Sequence, residues 1–376
     1  MRRITNVILR WADPAAFVRG LMIPLLAVFT AIVVGSIFMM INDYDPIAAY
    51  GGMLDGALGS KRAIARTILN SIPFVFGGLS VAFAFKGGLF NIGGEGQLFM
   101  GAVAAAWIGV AALGIPPWLH VFLSLLAGCM AGAIWGGIPG ALKAFTGAHE
   151  VITTIMFNFI ASALMVFLLV DVIRDTNQMG PQTASIAKEL WFPMFKDITQ
   201  LFGIKTRYSP LNISFFLAIL ALFFVWFLIW RTKWGYEMRA VGHNTRAAVY
   251  AGISPHRNII IAMLISGALA GMLGVNEILG VHHRVIVNFP AGYGFTGIAV
   301  ALMGRNHPIG IFLGAFLFGM LYQGGSEVTF DMPNISRYMF VAVQGVIILF
   351  SGALENLFRP QIESFFVKRL NKEKVA

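Results

Sequence analysis

Charge is scarce in this chain. Asp, Glu, Lys and Arg make up 12% of the 376 residues while apolar residues reach 58%, where a soluble domain carries about 25% charged residues. That balance, with a mean hydropathy of +0.77, excludes an ordinary soluble domain and places the protein in a bilayer. Cysteine is scarcer still. Cys129 stands alone, so no intrachain disulfide can form and no thiolate cluster can hold a metal; within an apolar segment it reads as a small core residue. No G-x-x-x-x-G-K-[ST] loop occurs, so the chain lacks the usual cradle for ATP phosphates. Nor does H-E-x-x-H, and the adjacent His282 and His283 cannot share a helix face, which argues against a zinc protease. The net charge of +10 comes without a basic domain outside the membrane, which leaves nucleic acid no surface to bind.

What the chain has in abundance is apolar segments of spanning length, near 20–41, 67–85, 89–112, 117–140, 151–172, 211–230, 258–281, 290–303, 308–324 and 336–354. The first is too long, and ends in residues too bulky, for a cleaved secretory signal. The segment at 290–303 is too short to cross alone and reads as a half-helix. We therefore expect an all-α integral membrane protein of about ten transmembrane helices, a single transmembrane domain over 1–376, with a leader (1–19), a membrane part (20–354) and a basic tail (355–376). With both termini cytoplasmic, the inner segments hold 17 Lys and Arg against 10 in the outer ones, in keeping with the positive-inside rule. The longest outer connection, Ile173 to Pro210, contains "KELWFPMF", an aromatic stretch suited to the headgroup level as a cap or a docking surface.

Two stretches resemble each other. "GGEGQLFMGAVAAAWIGVAALGIPP" from Gly93 and "AGYGFTGIAVALMGRNHPIG" from Ala291 each place a Gly-x-Gly (Gly94 and Gly96; Gly292 and Gly294) before a small-residue helix and a proline turn. In the expected topology they run in opposite directions, the pattern of an inverted repeat whose discontinuous helices meet near the midplane. Glycines also recur every four residues at Gly128, Gly132, Gly136 and Gly140, with Gly267 and Gly271, and Gly310 and Gly314, spaced likewise; such spacing lets helix backbones approach closely.

Irregular backbone at membrane depth is tolerated where protein or a watered cavity surrounds it. "GGLFNIGGEGQLFMG", Gly87 to Gly101, fits such a place. A charged residue at the centre of a span is costly, about 2.5–3.5 kcal/mol on insertion scales, so Glu95 has either of two roles: lining the solute path with Asn91, Gly94, Gln97, Asn158, Gly292 and Gly294, or bracing the neighbouring broken helix. Asn158 divides equally between the path and interhelical hydrogen bonding. Glu150 opens a span, where a carboxylate favours the helix dipole. Glu277, late in its span, is expected to face water. The largest inner loop, "RTKWGYEMRAVGHNTRAAVYAGISPHR" from Arg231 to Arg257, reads as a short helix after an Asn244 N-cap, stopped by Gly252 and Pro255.

"FNIGGEGQLFMGA", "HEVITTIMFNFIA", "RAVGHNTRAAVYAGI" and "GYGFTGIAVALMGRNHPIG" resemble, in order over roughly residues 20–355, the inner-membrane permease subunits of bacterial ABC importers. The branch is that of ribose and branched-chain amino-acid permeases, and the resemblance is closest to its nucleoside (guanosine-type) members; "NIGGEGQ" stands where the ribose type commonly has "GGIDLS". The resemblance implies a fold similar to the vitamin B12 importer permease and a place in the bacterial inner membrane. It implies as partners an ABC ATPase with two nucleotide sites, a second permease subunit and an extracytoplasmic solute-binding protein. It also implies that residues 239–253 form the coupling helix, with Arg239, Asn244, Thr245, Arg246, Ala247, Ala248, Tyr250 and Gly252 in contact with the ATPase. On that reading the chain is not itself an enzyme and holds no cofactor, ATP and Mg being used by the partner. The solute is a nucleoside or simple sugar, with branched-chain amino acids the alternative within the class. An ion-coupled secondary transporter would explain Glu95 and the repeat but not the basic inner helix.

Overall fold

The computed structural model describes residues 14–201, 210–287, 289, 292–331 and 338–350. The leader expected over 1–19 lies outside the described residues up to position 13, and the expected tail, 355–376, lies outside them entirely. The described chain is helical, with two isolated antiparallel bridges, Gln182 to Ile286 and Met194 to Asn212. In chain order the helices are α1 (Pro14–Ile41), α2 (Pro46–Leu58), α3 (Lys61–Lys86), α4 (Gly94–Val110), α5 (Pro117–Thr146), α6 (Glu150–Phe167), α7 (Phe195–Leu201), α8 (Ser214–Arg231), α9 (Lys233–His243), α10 (Thr245–Tyr250), α11 (Pro255–Glu277), α12 (Tyr293–Met303), α13 (Pro308–Asp331) and α14 (Tyr338–Phe350). Wider π turns extend α6 over Leu168–Val172 and α11 over Ile278–His282. Among the described residues, six helices are long and apolar enough to cross a bilayer, and the protein is an all-helical integral membrane protein.

The ends follow from local chemistry. Ser60 caps α3 through its hydroxyl, which accepts from the Ala63 N–H at 3.0 Å, and Thr232 and Asn244 do the same for α9 and α10; each occupies one of the unpaired donors of a first turn. Pro117 opens α5, and Gly147, at φ 71°, closes it in the left-handed conformation that a Cβ disfavours.

The described residues form two compact units, one drawn from 14–56 with 324–331 and 338–350, the other from within 57–323. In the first, the Tyr50 hydroxyl donates to the Ile32 carbonyl at 3.1 Å, which ties α2 to α1. Helix α2 lies between the first two expected spans, where no helix was expected. Two of its three glycines, poor helix formers, lie where it packs: a Cβ on Gly52 would lie 3.2 Å from Val328, and one on Gly56 would lie 2.7 Å from Glu327, whereas Gly51 faces open space. Tertiary packing rather than propensity makes this helix.

In the second unit α4, α5 and α11 touch backbone to backbone. A Cβ on Gly132 would stand 2.7 Å from the Gly271 Cα, and one on Gly101 would stand 2.6 Å from the same atom. The four-residue glycine spacing thus does what it predicts, and Gly77 against Gly297 brings α3 onto α12 in the same way, with 2.9 Å between the Gly77 Cα and a Cβ on Gly297.

Candidate functional site

Helix α3 ends at Lys86, residues 87–93 reverse the chain without helix, and α4 begins at Gly94. Helix α12 is a half-helix of 11 residues, as its short apolar run predicts, and starts after Gly292 at φ 100°. These two starts meet. A Cβ on Gly94 would sit 3.5 Å from the Gly294 Cα, whereas one on Gly294 would stand 2.7 Å from the Gly94 carbonyl carbon and overlap the Glu95 amide nitrogen. One glycine leaves a little room and the other leaves none.

Glu95 lies in the first turn of α4 yet reaches across the crossing. Its carboxylate accepts from the Gly292 N–H at 2.6 Å and from the Gly294 N–H at 2.8 Å, the leading donors of α12, and its exposure is 5%. A helix N-terminus carries roughly half a positive charge, so two abutting starts present about one positive charge to one carboxylate.

The other expected polar residues satisfy one another around this point. The Asn91 amide donates to the Gln97 Oε1 at 2.9 Å and to the Ser266 hydroxyl at 2.8 Å, while its Oδ1 accepts from the Gly93 N–H at 2.9 Å and the Gln97 amide at 3.0 Å. Ser266 in turn donates to the Ser80 carbonyl at 2.7 Å, linking α11 to α3. From α6, Asn158 accepts the Gly96 N–H at 2.8 Å and donates to the Ile92 carbonyl at 2.9 Å, and the Thr154 hydroxyl accepts the Ile92 N–H. Asn91, Gln97 and Asn158 are 0%, 1% and 8% exposed. The broken backbone therefore has its hydrogen bonds returned by Asn91 itself and by Thr154 and Asn158 of α6, while Gln97 and Ser266 hold the Asn91 side chain in place. Ser80, Thr154 and Ser266 are members of this network that sequence reading did not single out; a lone hydroxyl in an apolar helix is too common a signal to find them.

Two other carboxylates are placed as follows. Glu150 opens α6 and pairs with Lys143 at 2.8 Å. Glu277 does not face water as expected: it is 3% exposed, accepts from the Asn276 amide at 3.0 Å and lies 3.5 Å from His282 Nε2. The cause is the connection after α6, which folds back over the end of α11 through bonds from the Ile186 N–H to the His283 carbonyl and the Phe192 N–H to the Leu279 carbonyl, both 2.9 Å.

The loop residues expected to form one coupling helix make two. Arg239 is on α9, its Nε donating to the Gly235 carbonyl at 3.3 Å. Asn244 caps α10, which contains Thr245, Arg246, Ala247, Ala248 and Tyr250; Gly252 follows at φ 75°. Ala248 is buried at 3% exposure while Tyr250 is 96% exposed, so the helix rests on one small side chain and presents the rest. A cavity of about 330 Å³ opens elsewhere, between α3, α8 and α13, lined by apolar groups such as Val75, Leu222 and Phe316; none of the expected site residues lines it.

A pattern for the branched-chain amino acid transport system / permease component family matches residues 63–352. The chain belongs to that family. It is similar to the guanosine ABC transporter permease protein NupP of Bacillus subtilis, 38% identical over 88% of this chain and 92% of the relative. It is also similar to the nucleoside ABC transporter permease protein NupB of Lactococcus lactis subsp. cremoris, 37% identical over 86% and 90%. The glucose ABC transporter permease protein TsgB13 of Haloferax volcanii is 33% identical over 93% and 91%. No solved structure matches the chain. The match spans α3 to α14, so the crossing of α4 and α12 and the exposed α10 are both parts of a permease.

Proposed function

We propose that this protein is the permease subunit of an ATP-driven importer for a nucleoside or a simple sugar, a single membrane domain of about ten crossings in the bacterial inner membrane with both termini cytoplasmic. The observation that carries the solute class is similarity along most of the chain to guanosine, nucleoside and glucose permeases. The inverted repeat, similar in plan to the vitamin B12 importer, is supported by Gly94 meeting Gly294 and by Glu95 spanning both helix starts. ATP and Mg bind a separate ATPase with two nucleotide sites, and this chain carries no cofactor. A second, different permease and an extracytoplasmic solute-binding protein complete the complex, the former supported by the resemblance to the nucleoside branch.

Within that reading, Asn91, Gly94, Glu95, Gln97, Asn158, Gly292 and Gly294 set the wall of the solute path by holding two broken helices in register. Their burial and mutual hydrogen bonding support a bracing role over direct solute contact. The ATPase docks on Asn244, Thr245, Arg246, Ala247 and Tyr250, an exposed surface on a capped helix. The test is reconstitution of the complex in vesicles: uptake of labelled guanosine or glucose should require ATP, the ATPase and the binding protein, and cysteines at Thr245 or Tyr250 should crosslink to the ATPase. Uptake that survives removal of the ATPase, driven by an ion gradient, would overturn it.

A further inference from the structure

Four elements converge where α3 ends. Lys86 is its last residue. Its ammonium lies 5.6 Å from the centre of the Trp230 ring, at the end of α8, and Trp230 in turn lies 5.3 Å from the His307 ring in the turn between α12 and α13. From α9, Gly242 packs on this end so closely that a Cβ there would meet the Lys86 carbonyl at 2.8 Å. Arg239 is one helical turn before Gly242 and near enough to Lys86 for the two charges to repel. Both cations are half-buried, and among the described residues neither forms an ion pair with a carboxylate.

Two like charges near each other, partly out of water and with no carboxylate paired to them among the described residues, are costly unless something neutralises them. The level identifies what does. Lys86 and Arg231 end two helices long and apolar enough to span, and Trp226 and Trp230 stand in the last two turns of α8 with Arg231 over the Trp226 ring at 5.2 Å, a tryptophan and arginine pairing suited to the headgroup layer. Beneath it α8 exposes Phe223, Phe224 and Phe227, an apolar strip against which acyl chains can lie. The surface that α10 offers to a protein is a different one, since Arg239 is half-buried on α9 and Tyr250 is exposed on α10. Basic pockets between helix ends at the boundary suit anionic headgroups.

We propose that Lys86 and Arg239, with Trp230 as the floor between Lys86 and His307, hold the phosphate of an anionic phospholipid in the leaflet on the α9–α10 side. The full-length chain is purified and titrated with phosphatidylglycerol or phosphatidylcholine, and bound lipid is followed by native mass spectrometry. Phosphatidylglycerol should bind more tightly than phosphatidylcholine. Lys86→Gln or Arg239→Gln should weaken it about fivefold and the double variant about thirtyfold, from the usual contribution of one basic side chain at an anionic surface. Lys233→Gln, which removes an exposed cation already paired with Glu237 at 3.8 Å, should leave binding unchanged. Should Lys86→Gln fail to fold, Arg239→Gln on the surface helix carries the test alone. Undiminished phosphatidylglycerol binding in that variant would overturn the proposal. So would displacement of the lipid by inorganic phosphate, which would make this a soluble-anion site, or an efficient crosslink from Arg239→Cys to the ATPase in the assembled transporter.

Discussion

The crossing of α4 and α12 and the surface of α9 and α10 draw on similar residue types, Asn, Gly and a charged side chain, and end in opposite states. At the crossing every expected polar side chain is buried and bonded to its own chain, as in Asn158 between Gly96 and Ile92. On the surface, Asn244 caps its helix, and Thr245, Arg246 and Tyr250 stand exposed. In low dielectric an unmade hydrogen bond costs more than a made one gains, so a broken helix in the bilayer must be closed by its neighbours. In water the same groups can wait for a partner.

The comparison is broken most severely at Gly294. Gly294→Ala would drive a Cβ into the backbone of α4, where no side chain can move aside, and should cost at least about 3 kcal/mol, the upper range of overpacking, seen as lost yield of folded protein. Gly94→Ala, with 3.5 Å to its nearest neighbour, should be tolerated within about 1 kcal/mol. Equal effects in melting temperature and yield would deny that the crossing is asymmetric.

Glu95→Gln keeps the shape but removes the charge that faces two helix starts, and should cost about 1.5–3 kcal/mol, the worth of a hydrogen bond to a charged group. Transport per assembled complex should change little beside the fall in melting temperature. A lowered turnover at unchanged stability would restore direct solute contact to Glu95. Asn158→Ala strands one N–H and one carbonyl, and about 1–3 kcal/mol should be lost for that; Asn158→Asp should keep the Gly96 bond and recover part of it.

At the other end of α11, His283 stacks on Trp191 with ring centres 3.6 Å apart. Burial first, and then His282 beside it, pushes the His283 pKa down to about 4 from 6.5. The folded form thus resists a proton that the opened form accepts below pH 6.5, so this contact is fully stabilising above that pH and weakens as pH falls towards about 4. Hydrogen exchange at Ile186 and Phe192, corrected for intrinsic rate, should speed on acidification, and His283→Gln should lessen the dependence. The smallest effect on stability belongs to the surface: Tyr250→Ala should move the melting temperature by no more than the equivalent of about 0.5 kcal/mol while reducing ATP-driven uptake.

Much of this was legible in particular residues. The glycine spacing of α5 forecast a close backbone contact, though not that α11 would make it, Asn244 and Gly252 bracketed α10, and the shortness of 290–303 marked a half-helix. Glu95 was conspicuous as an expensive charge, but its partners are nearly two hundred positions away, and no local pattern names them. Helix α2 was missed because its glycines argue against a helix that packing makes. Glu277 was misjudged because it stands at a helix end; the loop that buries it is polar and irregular, and its path depends on bonds to Leu279 and His283.

Composition and periodicity by themselves determined the solvent of this protein, the helical answer to it and the places where helices break, because a bilayer offers backbone groups no partners and so restricts local structure strongly. Which side chain would close each break was decided only by the tertiary structure. Hydrogen bonds between helices depend on register and crossing point, to which distant stretches of sequence contribute together.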